Sequence, residues 1–285
     1  MNLLRSVLYM PAANERALEK ATSIPCDAII FDLEDAVAPD SKATARQRAA
    51  AAVTSGRYGH RVLTIRCNAP ATRWGSDDLA AAAAGKPAAV VIPKVDSLAT
   101  LDDVAARLDA GGATATSIWA MIETPTAIFD VRALVAHPRV SVLVIGTNDL
   151  ARELRAPLAV PGRTNLTPYL ATAVLAAREA GRLILDGVYN DLDDAEGFAA
   201  ECRQGVEMGF DGKTLIHPSQ VEPANSAWTP AADEVDQARR VIEAFAAAEA
   251  DGRGVVSVDG RMVEALHVDN ARRTLALAEA IAAVG

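Results

Sequence analysis

The sequence contains few cysteines and few aromatic residues. Its three cysteines, Cys26, Cys67 and Cys202, are widely spaced and show neither a C-x-x-C motif nor Cys/His ligand spacing. This pattern argues against a disulfide framework and predicts reduced thiols in a cytoplasmic protein. Aromatic residues make up 4% of the chain, although 51% of it is hydrophobic. The core must therefore consist of Ala, Val, Leu and Ile, which suits buried parallel strands covered by helices.

The sequence also lacks clustered positive charge and any hydrophobic run of membrane-spanning length. The formal net charge is −9 and the pI is near 5.0, with no run of Lys or Arg. The electrostatic footprint of a nucleic-acid-binding protein is therefore missing. The apolar start MNLLRSVLYMPAAN carries Arg5 and has no cleavage site typical of a signal peptide, so we expect it to form a strand. We expect neither a nucleic-acid nor a membrane partner, and local cations must bind any anionic ligand.

Short apolar runs alternate with helical segments along most of the chain. Runs of this kind, bounded by turn signals, are typical of fully buried strands. The helical segment in each gap requires neighbouring strands to be parallel. The sequence therefore predicts an α/β fold, a (β/α)₈ TIM barrel, over residues 1–230. The predicted strands are Leu3–Met10, Asp27–Leu33, Arg61–Cys67, Ala88–Val95, Ser117–Glu123, Ser141–Asn148, Arg182–Val188 and Asp211–His217.

The pattern changes after the eighth run. A helix is predicted from about Asp233 to Ala250, followed by the break DGRG, the apolar segment VVSV, a turn at DGRM and a final helix from Glu264 towards Ala283. A barrel does not need these residues to close. Residues 231–285 are therefore predicted to form a C-terminal helical extension that acts as a lid and contacts a neighbouring subunit.

Charged side chains stand where the predicted strands end. In a (β/α)₈ barrel all strand carboxyl ends open onto one face, and that face carries the active site. Residues far apart in the sequence are therefore expected to converge on one pocket. They are Glu34, Asp35, Arg66, Lys94, Glu123, Asp149, Asp186 and His217.

Glu123 and Asp149 end neighbouring predicted strands, and two carboxylates in this arrangement suit a hard divalent cation. Mg²⁺ binds through one or two carboxylates and fills its other positions with waters and substrate oxygens. The alternative is that the two carboxylates cap the helices that start at Thr124 and Leu150. The run Gly146-Thr147-Asn148 favours the site, because it lets backbone approach a ligand closely.

Arg66 lies in an otherwise apolar strand, and a buried arginine is rarely without a partner. It can form a salt bridge to Glu34 or Asp35, or hold a substrate carboxylate or carbonyl and stabilise developing negative charge. Glu34 and Asp35 are themselves candidate catalytic residues, which can ligate the metal, hold its waters or orient Arg66. Lys94 can equally pair with a neighbouring carboxylate or act in catalysis, and the same holds for His217.

Nine sequence segments are spread over nearly the whole chain: RSVLYMPAANERALEKA, DAIIFDLEDAVAPDSKATAR, IRCNAPATRWGSDDL, VVIPKVDS, MIETPTAI, VIGTNDLARE, LDGVYNDLDDAEGF, MGFDGKTLIHPSQV and DGRMVEALHV. Together they resemble one enzyme family, the citrate lyase β-subunit-like branch of the HpcH/HpaI aldolase superfamily, which includes malyl-CoA lyases and malyl-CoA thioesterases. The resemblance implies a TIM barrel with Mg²⁺, or Mn²⁺ as a substitute, held by Glu123 and Asp149. It also implies a substrate-binding Arg66, an acyl-CoA substrate, a 2-oxoacid product and a homo-oligomer, trimer or hexamer.

The late motif departs from the lyase pattern. Malyl-CoA lyases read G-x-M-I-D there, with the Asp supplied by a neighbouring subunit as the acid/base, whereas GRMVE carries Glu264. A glutamate is longer than an aspartate by one methylene, which changes the proton or water that it can reach. A late motif that ends in glutamate resembles that of the thioesterase members of the group. The leading expectation is a Mg²⁺-dependent lyase that cleaves a short 3-hydroxyacyl-CoA. The alternatives are a (3S)-malyl-CoA thioesterase, and a citrate-lyase-type subunit that is inactive without its partners.

The coenzyme A contacts rest on two basic residues of the first predicted helix. Arg16 and Lys20 follow the first strand and can meet CoA phosphates in an otherwise acidic protein. The alternative is that both are solvated charges on the helix face.

Overall fold

Eight parallel strands close into a barrel in the computed structural model, which describes residues 3–284. The strands follow one another around the barrel in chain order, and the eighth pairs with the first. The prediction of a (β/α)₈ barrel is confirmed. The strands are β1 (Ser6–Pro11), β2 (Ala28–Asp32), β3 (Val62–Arg66), β4 (Ala89–Ile92), β5 (Ser117–Ile122), β6 (Val140–Ile145), β7 (Leu183–Asp186) and β8 (Gly212–Leu215).

The strands coincide closely with the predicted apolar runs. Only β1, which continues to Pro11, and β6, which begins at Val140, extend beyond the predicted limits. β4 is shorter than predicted and ends at Ile92, because Lys94 adopts a left-handed backbone conformation with φ of 51°. That turn changes the direction of the chain at the mouth of the barrel.

Helices fill the gaps between the strands, as the alternating pattern predicts. Side-chain caps begin several of them: Asn14 accepts the N–H of Ala17, and Thr124 accepts the N–H of Ala127. The helices of the barrel are α1 (Glu15–Ala21), α2 (Lys42–Thr54), α3 (Gly75–Gly85), α4 (Leu98–Ala110), α5 (Pro125–Val135), α6 (Thr147–Glu153), α7 (Thr167–Glu179), α8 (Ala195–Met208) and α9 (Val221–Ala227).

The interior of the barrel is built mostly from aliphatic side chains on alternate strand residues, with Trp119 and Met121 contributed by β5. Ala28 and Ile30 of β2 belong to this core, and the period of two places Asp32 on the same side at the strand's end. Its register partner on β3 is Arg66. The strand alternation therefore turns from apolar to charged at the carboxyl end of the barrel.

The chain forms two compact units, a barrel unit over Leu4–Asn225 and a C-terminal unit that begins at Ser226. The predicted role of the extension as a lid in contact with a neighbouring subunit stays a prediction. No helix among residues 3–284 is long and apolar enough to cross a membrane. Cys26, Cys67 and Cys202 are buried and form no disulfide.

The C-terminal unit contains two helices and a short hairpin. Its elements are α10 (Ala232–Ala250), β9 (Val256–Val258), β10 (Arg261–Val263) and α11 (Ala265–Ala282). The sequence predicts the two helices and the turn but not the paired strands. Asp259 and Gly260 both have positive φ, 49° and 76°, which is the geometry of a two-residue hairpin turn.

Candidate active site

A cluster of charged side chains lies at the carboxyl ends of β2 to β6. The strand ends and the loops after them supply four carboxylates and two basic groups, and α6 adds a fifth carboxylate and a third basic group. The carboxylates are Asp32, Glu34, Asp35, Glu123 and Asp149, and the basic groups are Arg66, Lys94 and Arg152.

Arg66 is held by a carboxylate that the sequence analysis does not identify. Its Nε and Nη2 donate to the two oxygens of Asp32, each at 2.7 Å, which is a bidentate pair. Both side chains are buried, and the guanidinium carbon lies 4.7 Å from the centre of the Tyr9 ring. Burial acts to lower the pKa of Arg66, but Asp32 outweighs it and holds that pKa above its usual range.

Strand periodicity was the signal for Asp32. Ala28 and Ile30 face the barrel interior, so a charged residue two positions later on a buried strand must find a partner inside. Asp32 also accepts the N–H groups of Glu34 and Ala36, at 2.8 and 3.1 Å. One carboxylate therefore orders both Arg66 and the loop that follows β2.

Glu34 and Asp35 lie next to Arg66, and the salt bridge expected from the sequence is present. Arg66 Nη1 is 3.0 Å from Glu34 Oε2 and 3.5 Å from Asp35 Oδ2. Glu34 is also 3.6 Å from Lys94 Nζ, through Oε1. Burial raises the pKa of Glu34, and Arg66 opposes that rise. The Asp35 side chain is 69% exposed, so it is the more loosely held of the two acids.

The buried Lys42 fixes the loop that carries Glu34. Its Nζ donates to the carbonyl oxygens of Leu33 and Glu34 and to Oδ1 of Asn68, each at 2.8 Å. These bonds satisfy the three N–H groups of a buried ammonium. Lys42 thus holds the backbone from which Glu34 reaches Arg66.

Glu123 is almost completely buried, at 1% exposure, directly after β5. Its Oε1 accepts the backbone N–H of Lys94 at 2.8 Å, and its side chain packs against Gly146. A Cβ added at Gly146 would come within 2.5 Å of the Glu123 Cβ, so only glycine fits. Burial, and then the charge of Asp149, raises the pKa of Glu123 to about 7.

Asp149 lies in the first turn of α6 and pairs with Arg152, whose Nη2 is 2.5 Å from its Oδ1. The interpretation of Glu123 and Asp149 as helix caps is wrong. Thr124 occupies the cap position of α5, and Gly146 occupies that of α6. The two carboxylates are therefore free of a capping role.

The charges of the cluster test whether it fits a divalent cation. With every group ionised, its five carboxylates exceed its three basic groups by two negative charges. The charge of Asp149 opposes ionisation of Glu123, and Glu123 is buried without a cationic side chain of its own within hydrogen-bonding distance among residues 3–284. Such a carboxylate pair fits Mg²⁺, which needs one or two protein carboxylates. Within the described part of the chain, no three His, Cys, Asp or Glu side chains form a metal-binding group, so waters or ligand oxygens would complete the shell.

Two other strand-end residues, Asp186 and His217, make different contacts. Asp186 is fully buried between Lys213, at 2.9 Å, and Arg163, at 2.6 Å. His217 begins a short 3₁₀ turn, and its Nδ1 accepts the N–H of Ser219 at 3.2 Å.

The remaining candidate residues are Arg16, Lys20 and Glu264. Arg16 lines an open groove of about 540 Å³ beside β1, together with Arg48, which the sequence analysis misses. Lys20 is exposed in the last turn of α1 and does not line this groove. Glu264 precedes α11 in the C-terminal unit, where its N–H donates to His267 Nδ1 at 3.1 Å. The structure thus brings Arg66, Glu34, Asp35, Glu123 and Asp149 together and places Glu264 in the other unit.

Three known proteins show what the chain is similar to. A (3S)-malyl-CoA thioesterase of Cereibacter sphaeroides is 50% identical over 279 residues, covering 98% of this chain and 96% of that protein. An L-malyl-CoA/beta-methylmalyl-CoA lyase of the same species is 32% identical over 304 residues, covering 98% and 96%. The crystal structure of CitE from Mycobacterium tuberculosis in complex with magnesium, acetoacetate and coenzyme A superposes with a TM-score of 0.78 at 29% identity, covering 96% of this chain and 97% of that one. The identities favour the thioesterase alternative over the leading lyase expectation.

The resemblance inferred from the sequence motifs is confirmed at the level of the family. The profile of the HpcH/HpaI aldolase/citrate lyase family matches residues 5–218, which span the barrel from before β1 to beyond β8. All of the residues in the charged cluster lie within the match. The chain therefore belongs to the HpcH/HpaI aldolase/citrate lyase family of enzymes.

Proposed function

We propose that this protein is a Mg²⁺-dependent thioesterase that hydrolyses a short 3-hydroxydicarboxyl-CoA, such as (3S)-malyl-CoA, to the hydroxyacid and free CoA. The observation that carries the choice of hydrolysis is the 50% identity to a (3S)-malyl-CoA thioesterase over 98% of the chain. The lyase relative shares 32% over the same span. Glu264, in place of the aspartate of the lyase motif, supports the same choice.

Glu123 and Asp149 would hold the metal ion, with Mn²⁺ as a substitute for Mg²⁺. The burial of Glu123, the charge of Asp149 that opposes its ionisation, and the excess negative charge of the cluster support this assignment. When bound, Mg²⁺ supplies Lewis-acid polarisation of the oxygens that complete its shell. Arg152, which now pairs with Asp149, is 61% exposed and free to turn towards solvent.

Arg66 would hold the substrate from the opposite side of the cluster. A guanidinium has five N–H donors; Asp32 takes two of them, and Nη1 donates to the largely exposed Asp35 at 3.5 Å while lying 3.0 Å from Glu34. The remaining donors can bind a substrate carboxylate or carbonyl and stabilise negative charge that develops on its oxygen. Because Asp32 fixes the guanidinium plane, these donors are oriented before the substrate arrives.

Hydrolysis needs a base for water and an acid for the leaving thiolate. The water oxygen bonds to the thioester carbonyl carbon, its proton passes to a carboxylate, and the carbon–sulfur bond breaks as the sulfur takes up a proton. Glu264 is the proposed carboxylate, supplied by the C-terminal unit of a neighbouring subunit. Glu34 and Asp35 are the carboxylates of the barrel that could act in its place.

The CoA moiety would bind beside β1. Arg16 lines the groove there, and Arg48 lies in the same groove with Nη1 donating to the Ala13 carbonyl at 2.6 Å. These guanidinium groups would meet CoA phosphates, with Lys20 further along α1. The homo-oligomer, trimer or hexamer, and the cytoplasmic localisation stay part of this proposal.

Product analysis tests the proposed reaction. The purified chain is incubated with Mg²⁺ and malyl-CoA, and in parallel with citramalyl-CoA, and the products are identified by mass spectrometry. Free CoA with malate supports hydrolysis. Turnover that is unchanged by chelation of divalent cations contradicts the metal assignment, and absence of any turnover by the chain alone supports a partner-dependent subunit instead.

A second candidate is carbon–carbon cleavage of the same thioester to a 2-oxoacid and a short acyl-CoA. The observation that favours it is the similarity to an L-malyl-CoA/beta-methylmalyl-CoA lyase over 98% of the chain. Acetyl-CoA and glyoxylate from malyl-CoA would mark this reaction in the same assay. The ratio of acetyl-CoA to free CoA therefore decides between the two candidates.

A further inference from the structure

Lys94 has a backbone conformation that residues other than glycine rarely adopt. It follows β4 with φ of 51°, in the left-handed region, where a Cβ crowds the following carbonyl oxygen. Strained residues of this kind persist only where their surroundings hold them, and they concentrate at functional sites. We therefore expect contacts at the mouth of the barrel to hold Lys94 in this conformation.

The left-handed turn gives Lys94 two contacts at once. Its backbone N–H points to Glu123 Oε1 at 2.8 Å, and its Nζ lies 3.6 Å from Glu34 Oε1. Glu34 is held on its other oxygen by Arg66 Nη1 at 3.0 Å, so its carboxylate is clamped between two cations. Rotation about the N–Cα bond sets where the side chain and the following residues lie relative to this N–H, so an extended Lys94 could not keep both contacts with Val95 buried in its present place.

A second lysine with the same φ shows that the conformation alone has no functional meaning. Lys86 also has φ of 51°, but it ends α3, where its N–H donates to the Ala82 carbonyl. A left-handed residue at a helix end is a common way to terminate a helix. Lys94 follows a strand and caps no helix, and its N–H donates to a buried carboxylate instead.

We propose that Lys94 is a positioning residue for two carboxylates: its backbone amide fixes Glu123, and its ammonium holds Glu34 against Arg66. The role of Glu123 in this inference rests on the proposed metal site. The two halves are separable, because a substitution can remove the ammonium while leaving the backbone conformation, or can disturb the backbone itself.

Substitutions of Lys94 separate the two roles. Lys94→Met removes the ammonium and keeps an unbranched side chain, and Lys94→Gly removes it while favouring the left-handed conformation. Lys94→Val and Lys94→Thr oppose that conformation through their branched Cβ atoms. Lys86→Val is the matched control, since it imposes the same conflict at the same φ away from the carboxylates.

The backbone role is read from the Mg²⁺ dissociation constant, measured by calorimetry without substrate. We expect Lys94→Gly and Lys94→Met to stay within about twofold of the parent, and Lys94→Val to bind Mg²⁺ about 10-fold more weakly, the scale found for groups that orient metal ligands. Lys94→Thr should show a similar loss, which keeps the test valid if the Val protein does not fold. Equal Mg²⁺ affinity in the Gly, Thr and Val proteins would overturn the backbone role.

The side-chain role is read from turnover at saturating Mg²⁺. We expect Lys94→Met and Lys94→Gly to lose about 10- to 100-fold in turnover, and Lys94→Arg to recover part of that loss because it restores a positive charge beside Glu34. Lys86→Val should lose thermal stability but keep the Mg²⁺ affinity and turnover of the parent. Parent-level turnover in Lys94→Met would overturn the side-chain role.

Glu123→Gln distinguishes failure of this inference from failure of the proposed metal site. If Glu123→Gln binds Mg²⁺ as the parent does, the metal assignment is wrong whatever the Lys94 proteins show. If Glu123→Gln loses Mg²⁺ while Lys94→Val keeps it, the metal site stands and the role of Lys94 is wrong.

Discussion

Arg66 is the residue whose partner most changes the interpretation of the site. Asp32 binds its Nε and Nη2 edge with two bonds of 2.7 Å, so the orientation of the guanidinium is set within the protein. A lysine has a single ammonium and cannot keep this bidentate pair while also reaching a ligand. The planar fork, as well as the charge, is therefore needed here.

We expect Arg66→Lys to be nearly as damaging to turnover as Arg66→Ala, with losses on the order of 10²-fold or more. Both proteins should also lose some stability, because Asp32 is left with a poorer partner or none. Melting temperature and specific activity are measured on the same preparations. A purely structural Arg66 would give lower melting temperatures with turnover per folded molecule preserved.

Glu123 and Asp149 are expected to be individually necessary for the response to Mg²⁺. Removing either one from a two-carboxylate site leaves the cation mostly hydrated. Glu123→Ala and Asp149→Ala should therefore abolish Mg²⁺-dependent turnover and the rise in melting temperature that Mg²⁺ produces in the parent. Full activity of either protein at the same Mg²⁺ concentration would show that the metal assignment is wrong.

Gly146 is expected to affect the same site only because its missing side chain leaves room for Glu123. An added methyl group would come within 2.5 Å of the Glu123 Cβ and would displace its carboxylate from the N–H of Lys94. We expect Gly146→Ala to weaken Mg²⁺ binding by about 10-fold or more, as for other groups that orient a ligand. Gly254→Ala is the control, because an added methyl there meets nothing within 4 Å. Comparable Mg²⁺ titrations of the two proteins would contradict this account.

The sequence predicts the strand-end residues but not how they pair. Glu34, Arg66, Glu123 and Asp149 follow apolar runs whose carboxyl ends must meet in a parallel barrel, so their convergence is predictable. The pairing of Asp32 with Arg66 depends on the register of β2 and β3, which no local pattern specifies. The partners of Asp186 likewise depend on how separate elements pack, so the sequence does not predict that this strand-end acid has a structural role.

At the level of elements, Asp186 joins β7 to β8 and to the connection between α6 and α7. Its two oxygens meet Lys213 Nζ of β8 and Arg163 Nη1 of that connection, and Lys213 also pairs with Glu201 of α8 at 2.7 Å. Lys213 and Asp186 are fully buried, so each charge depends on its partners. These contacts hold together elements whose packing the apolar pattern alone does not determine.

Acid stability tests this network. Burial acts to raise the pKa of Asp186, but Lys213 and Arg163 outweigh it and hold that pKa below its usual range. A lowered pKa stabilises the folded state above the ordinary aspartate value of about 3.9, and that contribution is lost as the pH falls through the lower value of the folded state. The parent should therefore lose stability below about pH 4.

We expect Asp186→Asn to lower the unfolding free energy at neutral pH by about 3–5 kcal/mol, because two buried cations lose an anionic partner. Its stability should also fall less steeply than that of the parent between about pH 4 and pH 2. Urea unfolding across this range measures both effects. Asp77→Asn, which removes a 70% exposed partner of Arg46, should cost less than about 1 kcal/mol and leave the acid slope unchanged.

The elements themselves differ in how far the sequence predicts them. Each barrel strand is a compact apolar run between helical segments, and all eight are found. The strands β9 and β10 have only three residues each, too few for a period of two to be recognised. Their turn, Asp259-Gly260, was the available signal, since Asp-Gly between apolar residues is typical of a tight hairpin.

At the scale of the whole molecule, the barrel unit carries the charged cluster and the C-terminal unit carries Glu264. The hypothesis that Glu264 acts in the site of a neighbouring subunit cannot come from strand patterns, because assembly depends on surfaces rather than on periodicity. It predicts that two inactive proteins with different defects can restore each other. Mixed subunits therefore offer a direct test.

We expect Glu264→Gln to keep the oligomer and ligand binding while turnover falls by roughly two to four orders of magnitude, the scale for loss of a general acid or base. Mixing unfolded Glu264→Gln and Glu123→Gln subunits and refolding them together should restore part of the parent activity. Such a mixture contains sites in which an intact barrel meets an intact Glu264. No recovery in co-assembled oligomers would show that Glu264 does not act across subunits.

Glu264→Asp tests whether the length of this side chain selects the reaction. Shortening the carboxylate by one methylene changes which proton or water it can reach, and it recreates the aspartate expected of the lyases. If Glu264 directs water to the thioester, the Asp protein should give a higher ratio of acetyl-CoA to free CoA from malyl-CoA than the parent does. If that ratio stays fixed while Glu264→Gln keeps full activity, the C-terminal unit has only a structural role. The base must then be one of the two carboxylates that already contact Arg66 in the barrel, Glu34 or Asp35, because Asp186 is fully occupied by Lys213 and Arg163.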